Sequence, residues 1–335
     1  MPEGDTIHNA ALRVGTALVG AEIVEIATPQ PRHGADRWPE RLAGRAVRAV
    51  DAHGKHLLVR FEGDLTLHSH LRMGGKWGVY ARGRRWTRAA RRAWLVVRTR
   101  DHDVVQFDGP LLELLTDSRT RFDRLLAGLG PDVVADGDFD EVAFLRRLRE
   151  DDQTRPIGEA LLDQRNVAGI GNIWKSEGCF AAGLDPWRRT ADVTDAEACA
   201  VVRAVRPLMR ESARRGGPTV TFQGEPNPAA AVARAVAGDG PTLQLDRPLP
   251  GAGRPAPEAT RRIVGGRPPT ILQTAPRRSA DPGAPSRRPD DRDRRAGTFV
   301  YERGGLPCRV CSTPIRARGQ GDDNRTTYWC PTCQR

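Results

Sequence analysis

Residues 308–333, CRVCSTPIRARGQGDDNRTTYWCPTC, hold four cysteines in two pairs: Cys308-x2-Cys311, then 18 intervening residues, then Cys330-x2-Cys333. Two pairs at this separation suit tetrahedral Zn2+, each pair forming a knuckle that supplies two thiolates about 2.3 Å from the metal. In a cytoplasmic chain, disulfides are the weaker alternative. Four cysteine ligands leave no open coordination position, so one structural zinc is expected to hold a β-hairpin together without taking part in catalysis. The hairpin carries Arg316, Arg318 and Arg325. A zinc-braced strand pair bearing arginines is a rigid way to set guanidiniums against phosphates, although arginines merely solvated on a loop would read the same. Cys179 and Cys199 fall on helical segments and read as buried thiols.

The 335-residue chain as a whole is consistent with a polyanionic partner. It has 53 Lys+Arg against 42 Asp+Glu, a formal charge of +11, and nucleic acid leads the candidates. Only Lys55, Lys76 and Lys175 are lysines, so a lysine in this arginine background is a candidate for work that needs a compact point charge. No run of about 18 apolar residues is present, and MPEGDT lacks the regions of a signal peptide. A cytoplasmic protein with no membrane partner is expected.

Asp5 reads as the N-cap of a helix whose Ile7, Ala11, Val14 and Leu18 share one face. From about residue 21 to 115, AEIVEI, RAVRAV, HLLVRF, LTLHSHL, WLVVRT and VVQF alternate with turn residues and predict a β-sandwich or barrel-like domain. GLGPDVVADGDFD, residues 128–140, reads as a linker. Helical signals follow in VAFLRRLRE and IGEALLDQR, and Thr194 to Glu197 form a capping box ahead of a long helix. Residues 217–297 change character. No aromatic residue lies between Phe222 and Phe299, and residues 241–297 hold 11 of the 26 prolines and 12 arginines against six acids. This insert is expected to be disordered, either a solvated low-complexity segment or an extra electrostatic arm.

Three further stretches carry chemistry. In LLDQRNVAGIGNIWKSE, residues 161–177, Gly169-Ile170-Gly171 interrupts a helical face that resumes at Asn172. Such a turn at a helix N-terminus either cradles a phosphate, with Asn172 as a further donor, or simply joins two helices. At the start, Met1-Pro2-Glu3 becomes reactive if Met1 is removed. The exposed proline is a secondary amine, and an α-amino group titrates near 7.7 to 8.0 against about 10.4 for lysine, so it can attack an aldehyde carbon. The resulting iminium has no N–H proton to shed, and Glu3 beside it can shuttle protons. The plain alternative is a frayed terminus. Finally, DAHGKH, residues 51–56, reads as a turn between strands that lifts Lys55 to a loop tip. His68 and His70 alternate along a strand and read as domain histidines rather than metal ligands.

In this order, MPEG, HGKHLL, SHLRMGGKW, LLDQRNVAGIGNIWKSE and FVYERGGLPCRVC to RTTYWCPTCQR resemble the formamidopyrimidine-DNA glycosylase and endonuclease VIII family of base-excision repair enzymes. The resemblance implies an α+β multidomain fold. An N-terminal β-sandwich with flanking helices (residues 1–127) is followed by a linker (128–140) and a helix-two-turn-helix domain (141–216). The insert (217–297) and a four-cysteine zinc finger (298–335) complete it. It also implies damaged DNA as partner, bound by a monomer in the cleft between domains. By resemblance Pro2 is the nucleophile toward C1′, Glu3 its acid/base partner and Lys55 a phosphate contact at the lesion. Asn172 and Arg325 match phosphate-binding residues, and Met73 matches the apolar wedge that fills the gap left by an extruded base. Thr6 stands where many relatives carry a second glutamate. After Phe107-Asp108 the chain reads Gly109-Pro110-Leu111-Leu112, without the Arg and Phe of the purine-repairing branch. MPEGDT and LLDQ resemble the endonuclease VIII branch, which implies excision of oxidised pyrimidines and β,δ-elimination. A purine-directed glycosylase is the alternative within the class, and a non-catalytic zinc-ribbon DNA-binding protein the alternative outside it.

Overall fold

A computed structural model describes residues 2–335 except 34, 35, 218, 223, 225, 226 and 231–296. Most of the 217–297 insert, with its expected disorder, and Met1 lie outside the described residues. The chain begins with helix α1 (Gly4–Leu18), which buries Ile7, Ala11, Val14 and Leu18, the face read from their spacing. Its N-cap is Glu3, in extended backbone, and not Asp5. Asp5 lies within the first turn, where its carboxylate accepts the Ser212 hydroxyl at 2.6 Å.

Strand β1 (Ile23–Ala27), helix α2 (Trp38–Leu42) and strands β2 (Val47–His53), β3 (His56–Phe61), β4 (Leu65–His70), β5 (Lys76–Ala81), β6 (Ala93–Thr99), β7 (His102–Phe107) and β8 (Leu111–Thr116) follow. They form two four-stranded antiparallel sheets, ordered β1-β6-β7-β5 and β2-β3-β4-β8. Alternate residues such as Leu57, Val59 and Phe61 of β3 and Leu95 and Val97 of β6 point into one core, which α1 also enters with Ile7, Val14 and Leu18. The two sheets make a β-sandwich. In β3–β4 pairing His56 faces His70, so the β2–β3 turn and the β4–β5 turn project from the same end of the sheet.

Short helices α3 (Asp117–Phe122) and α4 (Arg124–Ala127) lead to residues 128–140, a connection that is packed into the protein. Val133 and Val134 are fully buried in the second core, and the Asp132 carboxylate joins three segments. It accepts from Gly54 N at 2.8 Å and Val134 N at 2.9 Å, and pairs with His8 Nε2 at 2.8 Å. Helices α5 (Glu141–Glu150), α6 (Ile157–Ala160), α7 (Asn172–Ala181) and α8 (Asp195–Arg215) surround Phe144, Leu148, Trp174, Val201 and Val205. IGEALLDQR is helical only over α6 before its chain turns, whereas the Thr194–Glu197 capping box is formed as read.

Strands β9 (Arg316–Gln320) and β10 (Arg325–Trp329) form the finger's antiparallel hairpin, with Arg325 facing Gln320. Its core of Phe299, Val300, Ile315, Cys308 and Cys330 packs on Phe180 of α7. The buried Glu177 carboxylate fastens the segment entering the finger, accepting from Phe299 N at 2.8 Å, Val300 N at 2.9 Å and Tyr301 N at 2.8 Å. The result is an α+β fold of sandwich, helical unit and zinc-finger hairpin.

Candidate active site and DNA-facing surface

Glu3 caps α1 with its backbone alone and sends its side chain across to α7. Its Oε1 accepts from Ile173 N at 2.9 Å and its Oε2 from Trp174 N at 3.2 Å. Gly171 leaves the room for this, because a Cβ there would lie 2.3 Å from Glu3 Cδ. The glycine turn, read either as a phosphate cradle or as a plain joint between helices, presents these two N–H groups to a carboxylate of the chain itself. Gly4 N donates to Gly169 O at 2.9 Å, fixing the start of α1 against the same turn and placing Pro2 at the junction of sandwich and helical unit.

The β2–β3 turn, expected as a raised loop tip, is pressed onto this junction from the other side. Gly54 adopts φ +56°, and a Cβ there would come within 2.8 Å of Ala168 Cβ. Its approach brings Lys55 Nζ to 2.6 Å from Ile170 O, a carbonyl that Gln164 Nε2 also reaches at 3.0 Å. Burial lowers the Lys55 ammonium to about 8, opposed by Glu3 and reinforced by Arg325. Glu3 is 1% exposed, and this burial raises its carboxyl above the ordinary range, against the pull of Lys55 and the two α7 N–H groups. A buried carboxyl whose proton affinity is raised, next to Pro2 in the chain, is equipped for general acid/base work.

Asn172 and Arg325 meet through the hairpin. Asn172 Nδ2 donates to Thr326 O at 2.8 Å, next to Arg325, whose guanidinium is held by Asp323 at 2.9 Å. Met73 stands apart on the β4–β5 turn at the same end of the sheet as Lys55, and is 73% exposed. That turn is braced from behind, since Arg88 donates to both Gly74 O at 2.7 Å and Asp108 Oδ2 at 2.6 Å. His56 and His68 hydrogen-bond each other at 2.8 Å, and His70 Nδ1 accepts from Arg72 N at 3.1 Å. Burial leaves His56 neutral, lowered to about 2.

The thiol sulfurs of Cys308, Cys311, Cys330 and Cys333 all lie within 4.8 Å of one another, the one such metal-ligand group among the described residues. Cys308 to Cys333 is 3.9 Å and Cys311 to Cys330 is 3.4 Å, too long for disulfides and close to the roughly 3.8 Å edge of a tetrahedron with 2.3 Å metal–sulfur bonds. Val310 N points at Cys308 Sγ at 3.4 Å, as a zinc knuckle requires. The four residues fit a structural zinc, which would brace the hairpin behind β9 and β10. Asp132, Glu177 and the role of Lys175 were not legible as site supports, since each acts on a partner far along the chain, whereas Gln164 holds Gly169 N and Ile170 O, five and six residues on, in a turn whose pattern does not mark it.

Taken together, sandwich, helical unit and finger define a DNA-repair glycosylase class of fold. Residues 1–121 match the formamidopyrimidine-DNA glycosylase N-terminal domain, residues 129–224 its H2TH domain, and residues 305–335 the zinc finger found in FPG and IleRS. The chain is 35% identical to the probable endonuclease 8 2 of Streptomyces coelicolor, over 100% of this chain and 94% of the relative. It is 30% identical to the formamidopyrimidine-DNA glycosylase of Thermus thermophilus, covering 100% and 98%. A Lactococcus lactis FPG mutant solved with Fapy-dG DNA shares the fold, with TM-score 0.67, 21% identity and full coverage of both chains. The chain belongs to the formamidopyrimidine-DNA glycosylase and endonuclease VIII family of DNA glycosylases and abasic-site lyases.

Proposed function

We propose that this enzyme excises oxidised pyrimidines from DNA through an iminium on Pro2 and then cleaves the strand by β,δ-elimination. The observation that carries the reading is the Glu3 carboxyl, buried and raised, between Pro2 and the α7 N-terminus with Lys55 opposite. With Met1 removed, the Pro2 amine attacks C1′ and the base departs with a proton supplied by the acid. Nitrogen and O4′ then share C1′; the C1′–O4′ bond breaks, O4′ takes up the proton the amine sheds, and the opened sugar is left as an iminium, which acidifies the C2′ proton. Loss of that proton expels the 3′ phosphate, a second elimination expels the 5′ phosphate, and water frees the enzyme. Lys55 and Arg325 hold phosphates near the lesion, Asn172 offers its second N–H to another, and Met73 fills the vacated stack.

Residues 1–127 supply the nucleophile, acid and wedge, residues 141–216 and 298–335 the clamp, and zinc in the four-cysteine site keeps the clamp rigid. The protein acts as a cytoplasmic monomer on damaged DNA. Two relatives support the reading by name: the probable endonuclease 8 2 above, and a DNA-(apurinic or apyrimidinic site) lyase of Mycolicibacterium smegmatis at 29% identity. The β7–β8 connection favours pyrimidines. It is only Asp108-Gly109-Pro110, and the Gln106 side chain occupies the space a residue-109 side chain would need, so no reading loop extends there. The T. thermophilus relative keeps purine excision as the second reading. Borohydride trapping on oligonucleotides bearing thymine glycol, dihydrouracil or 8-oxoguanine tests the choice. Trapping on the two pyrimidines is expected, and trapping confined to 8-oxoguanine would reverse it.

A further inference from the structure

Lys175 is the most anomalous charge in the fold. It lies in the second turn of α7 and is 0% exposed, yet among the described residues no carboxylate comes within ion-pair reach of it. Its ammonium instead meets Thr327 Oγ1 at 2.5 Å and, more loosely, Gln320 Oε1 at 3.5 Å. Thr327 passes a hydrogen bond on to Gln320 Oε1 at 2.6 Å, and Gln320 Nε2 donates to Pro186 O at 2.9 Å. Burying an ammonium against neutral oxygens carries a desolvation penalty that a methionine of similar volume would avoid. What the ammonium adds is a directed hold on β10, two residues from Arg325, exerted from the helix whose N-terminus binds Glu3.

We infer that Lys175 is a positioning residue that locks the zinc hairpin to α7, setting the Arg325 guanidinium at phosphate height over the Glu3 and Pro2 centre. Two anchors act in parallel on adjacent residues of one strand, Asn172 on the Thr326 carbonyl and Lys175 on the Thr327 hydroxyl. The backbone bond fixes the strand's distance from α7. The side-chain bond fixes its rotation, because it grips the face of β10 that is turned into the protein, where Thr327 is fully buried. Zinc secures the far end of the hairpin and Lys175 the middle, so metal occupancy alone does not place Arg325. The inference rests on the reading of Arg325 as a phosphate contact.

The test is a double-mutant cycle of Lys175→Met and Arg325→Ala on full-length, zinc-loaded protein, with Thr327→Val as an independent break of the same bond. Binding to a duplex carrying a tetrahydrofuran abasic analogue is measured across salt concentrations, with zinc content and thermal midpoint as controls. Lys175→Met and Thr327→Val are each expected to keep zinc, weaken binding about tenfold and lower the salt slope by about one ion, although neither side chain touches DNA. Combined with Arg325→Ala, they should cost no more than Arg325→Ala alone. Wild-type binding by both variants, or losses that multiply with Arg325→Ala, would overturn the inference. If Lys175→Met fails to fold, Thr327→Val decides by the same criteria. If Arg325→Ala itself binds as wild type, the phosphate reading fails, and the inference with it; full affinity in the first two variants beside a weakened Arg325→Ala defeats the inference alone.

Discussion

The carboxylate of Glu3 lies 2.9 Å from the backbone nitrogen of Ile173, so an acid at the start of the chain caps a helix of the second unit. The two roles of this carboxylate separate on substitution. Glu3→Gln keeps an oxygen for one α7 N–H but loses the titrating acid. Base excision is expected to fall by about 10²- to 10⁴-fold while cleavage of a pre-formed abasic site, whose aldehyde is already available, falls far less. Single-turnover rates on the two substrates measure the difference.

Lys55 is expected to make DNA binding sensitive to alkaline pH. Burial first, then the nearby Arg325, lower its ammonium to about 8, against the opposing pull of Glu3. A lowered lysine is charged below that value and neutral above it, so a phosphate contact made by Lys55 weakens as pH rises through about 8. Affinity for an abasic analogue should show this falling limb, and Lys55→Arg, charged throughout, should flatten it.

Asp132 is a structural keystone. Burial alone would raise its carboxyl, but His8 and the N–H groups of Gly54 and Val134 outweigh it and hold the group below its ordinary value. Asp132→Ala leaves these donors unpaired and is expected to destabilise the protein by about 3 to 5 kcal/mol. Because the carboxyl is lowered in the fold, its contribution is present above the unfolded value near 3.9 and is lost as pH falls below it. Urea midpoints at pH 7 and pH 3.5 check both statements: the gap between wild type and variant should narrow in acid.

Metal and guanidinium are separable in the finger. Cys330→Ser removes one of four thiolates and should release zinc, disorder the hairpin and weaken DNA binding. Arg325→Ala should retain zinc and lose affinity for all sequences alike, since a phosphate contact carries no base information. Metal analysis and binding isotherms on several duplexes distinguish the two.

How far the sequence could be read follows from the range of each interaction. The apolar face of α1, the Thr194–Glu197 box and the paired cysteines depend on neighbours a few residues away and were legible. Strand β8, LLELLT, lacks clear alternation, and α6 is cut short by turns its apolar pattern does not reveal. Asp5 looked like an N-cap because its residue type favours one, yet Ser212 of α8, 207 residues away, claims its carboxylate. Asp132 was hidden among turn residues for the same reason: its partners His8 and Gly54 lie in the first unit. Local chemistry and the motif resemblance pointed to Pro2, Glu3 and Lys55 as candidates, whereas the contacts that hold them in place have no local period.

The proposed Pro2 chemistry is tested most directly by peptide mapping of the borohydride-reduced complex between the enzyme and lesion-bearing DNA. The mechanism requires a free secondary amine, so protein that retains Met1 should bind this DNA without forming the adduct. In processed protein the sugar remnant is expected on the N-terminal peptide, at the Pro2 nitrogen. A remnant on Lys55, Lys175 or any residue other than Pro2 would contradict the account.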